Sequence, residues 1–219
     1  MNQSKLIEYT KDFVKEKLNN DKTGHDWWHT FRVFKIAEYM AQKEGADLLI
    51  VSLASLLHDI ADWKFNDGDE NLGPTIAEQW LKKFDIENEI IQHIKEIINS
   101  VSYKGNNVKD NMKTIEGKVV QDADRIDAIG AIGIARTFAY GGYKGNEIHN
   151  PDIKPQIHNN FEEYKSSKGT TINHFYEKLL LLKDRMNTKT GKEIAEERHK
   201  FLEQFLNKFL DEWEVNTIK

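Results

Sequence analysis

LASLLHDIAD, residues 53–62, carries an adjacent histidine and aspartate, His58-Asp59, into a strongly apolar run. An ionised carboxylate is costly to bury without a partner, and a metal ion is a strong one. Working outward, His29 stands in GHDWWHTFRV (24–33) and Asp124 in VVQDADRIDA (119–128). The result is an ordered set, His, His-Asp, Asp, drawn from three separate segments. Two imidazoles and two carboxylates make a mixed nitrogen and oxygen site suited to a borderline or hard divalent ion. The neighbours leave choices open. His25 lies four residues before His29, a metal-ligand spacing on helices, and Asp122 lies two before Asp124.

The rest of the chain reads as almost entirely helical. It holds only 3 prolines, and apolar residues recur at three- and four-residue spacing. Leu6, Tyr9, Phe13 and Val14 form one stripe of a helix over 4–18. Asp26 is placed to cap a helix that runs to Glu44 and stops at Gly45. Asp47 can cap the next, which delivers the apolar run to His58-Asp59. A polar loop follows from Lys64 to Pro74, then helices over 75–84 and 87–99. Residues 102–113 read as a loop, 115–128 and 129–138 as helices, and 139–155 as a flexible glycine-bearing connection. Two last helices are expected over 172–187 and 190–214. In the latter, Phe201, Phe205, Phe209 and Trp213 recur every four residues as a core stripe. The expected architecture is one all-α domain over 1–219, with the motifs in about 25–140. A C-terminal helical extension, about 156–219, packs on the same core.

Composition narrows the function. Of the 219 residues, 39% are hydrophobic and 31% charged, a balance that fits a soluble helical protein with a real core. The formal net charge of −5 disfavours a general nucleic-acid clamp. With no cysteine, disulfides, thiol catalysis and zinc-thiolate sites are excluded. The lysine-rich N-terminus lacks the apolar stretch of a signal peptide. No segment approaches the roughly 18 apolar residues of a membrane span. Cytoplasmic location is the expectation. The glycines at 130, 133, 141, 142 and 145 follow no strand and make no dinucleotide fingerprint.

The four motif segments, GHDWWHTFRV, LLHDIADW (56–63), VSYKG (101–105) and QDADRIDAIGAIGIARTFAYGG (121–142), resemble the HD-domain metal-dependent phosphohydrolase superfamily. The likeness is strongest to its small bacterial YedJ/YpgQ-like branch. HFYEKLLLLKDRMNT (174–188) and IAEERHKFLEQFL (194–206) extend it over nearly the whole chain. The resemblance implies an HD-type helical bundle and assigns the ligands to His29, His58, Asp59 and Asp124. It implies one divalent ion, Mn2+ first, with Fe2+, Co2+, Ni2+ or Mg2+ open. Dinuclear members carry two more histidines between the HD pair and the last aspartate. Here that interval holds His93 alone, which favours a single ion.

The implied activity is hydrolysis of a phosphoester or phosphoanhydride of a small nucleotide, a nucleoside triphosphate first, by a metal-activated water. Asp62, one helical turn after His58-Asp59, is the candidate proton acceptor, with Asp67 assisting. Phosphoryl transfer needs cationic donors around the equatorial oxygens. Lys104, Arg32, Arg136 and Lys64 are the candidates, with Tyr140 a further substrate contact and Asp127 and His25 either substrate contacts or residues behind the metal ligands. Against these stand plainer readings. His58-Asp59 is then a metal-free buried pair, His29 a core histidine beside Trp27 and Trp28, and Asp124 a cap or ion-pair partner. Two other functions compete. Alarmone hydrolases place Glu-Asp three and four residues after the ligand aspartate, where this chain has Asp62-Trp63. A metal-stabilised binding module would retain the ligands without turnover.

Overall fold

The computed structural model describes residues 2–19, 26–61, 71–101, 111–156 and 169–215. Among the described residues there are nine α-helices and no strand. They are α1 (Gln3–Lys17), α2 (Trp27–Glu44), α3 (Leu48–Leu57), α4 (Leu72–Leu81), α5 (Asn88–Val101), α6 (Ile115–Asp127), α7 (Gly130–Lys144), α8 (Thr171–Glu177) and α9 (Lys189–Trp213). Two 3-10 turns, Leu179–Leu181 and Lys183–Arg185, join α8 to α9. No helix among the described residues is long and apolar enough to cross a membrane.

Helix α3 is the centre. Every residue from Val51 to Leu57 is buried. A helix apolar on all sides can only sit inside others. Here α1, α2, α5 and α6 surround it. Burying Leu53, Leu56 and Leu57 stabilises the fold by roughly 1.5–3 kcal/mol each. The surrounding helices turn one face inward. Helix α5 offers Ile91, Ile94, Ile98 and Val101, at three- and four-residue steps. One hydrophobic cluster runs from Leu6 in α1 to Leu206 in α9.

The cap residues set the helix starts that matter. Asp26 accepts from the His29 amide at 2.8 Å, which fixes the first turn of α2. Asp47 accepts from the Leu49 and Ile50 amides and starts α3. Gly45, at φ 70°, closes α2 in the left-handed conformation.

The structure departs from the sequence reading from α4 onward. Helix α4 starts at Leu72, with Pro74 inside its first turn, where a missing amide donor costs nothing. Helix α7 continues through Gly141 and Gly142 to Lys144. Gly141 is there because α8 crosses closely, and a Cβ would meet Thr171 Oγ1 at 2.3 Å. The expected helix over 172–187 is short α8 followed by the two 3-10 turns. The aromatic stripe of α9 is only partly core. Phe201 and Trp213 are exposed, Phe205 and Phe209 pack against the core, and Ala195, Leu202 and Leu206 form the buried face.

Candidate metal centre

Helices α2, α3 and α6 pack against one another, and each brings part of one polar cluster into their junction. His29 lies in the first turn of α2, His58 caps the C-terminus of α3, Asp59 follows it, and Asp124 sits in the last turns of α6. His29 Nε2 is 3.3 Å from Asp59 Oδ2 and 3.5 Å from Asp124 Oδ1. His58 Nε2 is 3.5 Å and 3.8 Å from the same two oxygens. The imidazole rings meet edge to face, with centroids 5.3 Å apart. His29, His58 and Asp59 each turn a ligand atom to within 4.8 Å of the others. Both histidines are buried, whereas the Asp59 and Asp124 side chains keep 14% and 28% exposure. The cluster is therefore walled by protein on the imidazole side and reachable from the carboxylate side.

The ring orientations suit a cation. His58 Nδ1 donates to the Ser55 carbonyl oxygen at 2.8 Å, which leaves the Nε2 lone pair for the cluster. His58 Nε2 is buried with no hydrogen-bond partner among the described residues. A buried acceptor beside two carboxylates, with no donor, fits a divalent ion and its mixed nitrogen and oxygen donor preference. His29 Nδ1 pairs with Asp127 Oδ2 at 2.7 Å. Burial and the charge of Arg136 push the His29 pKa down, but hydrogen bonds to Asp127 and Asp59 outweigh them and hold it above the usual histidine value.

Asp127 lies behind His29 and between two arginines. Its side chain is 1% exposed. Beside His29, it accepts from Arg32 Nε at 2.7 Å and Nη2 at 3.0 Å, and from Arg136 Nη1 at 2.8 Å. Burial would raise this carboxyl. Hydrogen bonds from His29 and Arg32, with the charge of Arg136, hold it far below the usual carboxylate range instead. Arg32 and Arg136 remain partly open, at 31% and 21% side-chain exposure. Tyr140 stands on α7 under Lys144, whose Nζ lies 5.6 Å from the ring centroid.

Asp122 faces away from the cluster. Its oxygens accept from the Asn187 and Thr188 amides, Asn187 Nδ2 and Thr188 Oγ1 at 2.8–3.0 Å, pinning the start of α9. His93 Nε2 lies 2.8 Å from Thr114 Oγ1, the cap of α6. His25, Asp62, Lys64, Asp67 and Lys104 lie outside the described residues. Two parts of the site have partners that the sequence does not name: the Ser55 carbonyl behind His58, and the joint hold of Asp127, itself expected beside the ligands or the substrate, on His29 and both arginines. The first is a backbone group with no residue signature. The second was signalled only by the three-residue step from Asp124 to Asp127.

An all-helical bundle with paired histidines and aspartates at the junction of three helices is the architecture of HD-domain proteins. A family model for the HD domain matches residues 27–129. The chain belongs to the HD-domain superfamily of metal-dependent phosphohydrolases, in the branch of YpgQ. YpgQ of Bacillus subtilis is 39% identical over 208 residues, spanning 94% of this chain and 93% of YpgQ. The crystal structure of that protein in complex with ADP aligns with a TM-score of 0.76, covering 97% of this chain and 96% of that one. A Lactobacillus plantarum protein gives a TM-score of 0.85 at 36% identity, with 98% and 99% of the two chains covered. An HD-superfamily hydrolase from Bacillus thuringiensis gives 0.76 at 43% identity, with 97% and 99% covered.

Proposed function

We propose that this chain hydrolyses a phosphoanhydride or phosphoester bond of a small nucleotide, a nucleoside triphosphate first, using one divalent ion. His29, His58, Asp59 and Asp124 would hold the ion, and Mn2+ suits that set best. The observation that carries the reading is the convergence of two imidazole Nε2 atoms and two carboxylates from α2, the end of α3 and α6. When bound, the ion supplies Lewis-acid polarisation of water and of a phosphoryl oxygen.

The remaining work falls to the chain. Arg32 uses Nε and Nη2 on Asp127, so its Nη1 remains for an equatorial phosphate oxygen. Arg136, half-open on α7, would contribute a second positive charge. The water oxygen attacks phosphorus, the bond to the leaving phosphate oxygen breaks, and a carboxylate takes the water proton. Asp62, one helical turn after Asp59 in sequence, is our candidate for that acceptor. The ADP complex of the Bacillus subtilis relative supports a nucleotide as substrate.

The test is release of phosphate or pyrophosphate from a nucleotide panel, guanosine polyphosphates included, by Mn2+-loaded protein. Triphosphates should be cleaved, and Asp59→Ala should lose bound Mn2+ and at least about 100-fold in rate together. Mn2+-loaded protein that binds a nucleotide tightly and cleaves none of the panel overturns hydrolysis in favour of a binding module.

A further inference from the structure

We infer that Asp127 is a positioning residue that sets the His29 tautomer for metal and, with the same carboxylate, fixes the two arginines beside the site. The inference rests on the metal-site reading above. Its starting point is an unfavourable placement. Asp127 is the last residue of α6, where the helix dipole repels a negative charge, and it is buried. A carboxylate at a buried helix C-terminus persists only if its surroundings hold it there. Three side chains do so: His29 from α2, Arg32 one turn further along α2, and Arg136 from α7. Arg198 of α9 adds positive charge nearby and donates to the Ile126 carbonyl at 2.6 Å, covering an acceptor at the end of α6.

The geometry has a chemical consequence. An ionised carboxylate only accepts, so it requires the proton on His29 Nδ1, and in the neutral ring that a cation needs, the Nε2 lone pair is then turned towards Asp59 and Asp124. A carboxylate behind a ligating imidazole orients the ring and raises its basicity. Here that carboxylate also grips Arg32 as a fork through both oxygens. Placing the cation ligand and aligning the phosphate-side charges thus depend on one residue. Both roles act through His29, Arg32 and Arg136, which makes Asp127 a positioning residue in this reading.

The test uses Asp127→Asn in the full chain, read by Mn2+ affinity and by nitrogen NMR of the imidazoles. The carboxamide can turn its NH2 to His29 and favour the tautomer with the proton on Nε2, which cannot ligate. Mn2+ affinity should fall about 10–100-fold, and Asp127→Glu should recover part of it. The wild-type protein loaded with Zn2+, which is diamagnetic, supplies a measurement that needs no variant. His29 should carry its proton on Nδ1 and the ion on Nε2. An ion on Nδ1 overturns the inference, as does Asp127→Asn binding Mn2+ like the wild type. Wild-type protein that takes up no Mn2+ overturns the metal-site reading and this inference with it. Wild-type uptake with an unaffected Asp127→Asn overturns this inference alone.

Discussion

Two residues apart on α6, Asp122 and Asp124 point to opposite sides of the helix, since each residue turns the chain by about 100°. Asp124 faces the histidines; Asp122 is fully buried against the start of α9. The stretch QDADRID offers three aspartates, and nothing in the letters says which faces which neighbour. Only the rotation of α6 against α2 and α9 decides it. The two should therefore separate cleanly on mutation. Asp122→Asn places an amide where several donors converge, and should lower the unfolding free energy by about 2–3 kcal/mol with Mn2+ affinity unchanged. Asp124→Asn removes a half-open carboxylate, and should leave metal-free stability within about 1 kcal/mol while weakening Mn2+ binding at least about 10-fold. Urea unfolding and Mn2+ titration of both variants check this. Coinciding effects in the two would mean that the residues share one role.

At the scale of helices, the ends legible in sequence are those a single side chain makes. Asp26, Gly45 and Asp47 carry their own hydrogen bond or backbone conformation, so α2 and the start of α3 follow from the letters. Ends made by a distant element do not. Gly141, inside α7, lies where a Cβ would meet Thr171 of α8, and α8 stops at Glu177 before the two 3-10 turns. The same distinction applies to the ion pairs. Glu78 of α4 bonds Lys82, the residue that caps the end of the same helix, at 2.8 Å, a spacing visible in sequence. It also bonds Lys95 of α5, which only the α4–α5 packing brings near. Lys82 first, and Lys95 with it, hold the Glu78 pKa down to about 2 from an ordinary 4.5. A depressed carboxyl adds stability above its unfolded value and loses it as pH falls through the folded one. The wild type should thus be more stable than Glu78→Gln at neutral pH. The difference should shrink between about pH 4.5 and pH 2. Thermal unfolding of both proteins across that range checks it, and parallel curves would mean the bridge contributes nothing.

Across the whole molecule, His58-Asp59 stands out in the letters because a carboxylate after LASLLH is costly in an apolar context and asks for a partner. His29 and Asp124 are singled out by resemblance, and the fold brings all four side chains together. The bundle that gathers them was legible because α3 is apolar all round and must be enclosed. What the letters do not show is how closely the three segments meet, with the histidine Nε2 atoms 3.3–3.8 Å from the carboxylate oxygens, so an ion held there links α2, α3 and α6 as a cross-brace. Unfolding scatters the four groups along nearly a hundred residues, and the unfolded chain offers no preformed site. The ion therefore favours the native state by mass action. At 100 times its dissociation constant the gain is about 2.7 kcal/mol. For a chain of this length that raises the melting temperature by roughly 5–10 °C. With free Mn2+ at 100 times its dissociation constant, the midpoint of the wild type should lie higher than that of metal-stripped protein by this amount and keep rising with the logarithm of free ion, while Asp59→Ala should not shift. If Mn2+ binds tightly at His29, His58, Asp59 and Asp124 but leaves the wild-type midpoint unmoved, the three helices are not braced through the ion, and the ligands must gather equally well without the fold.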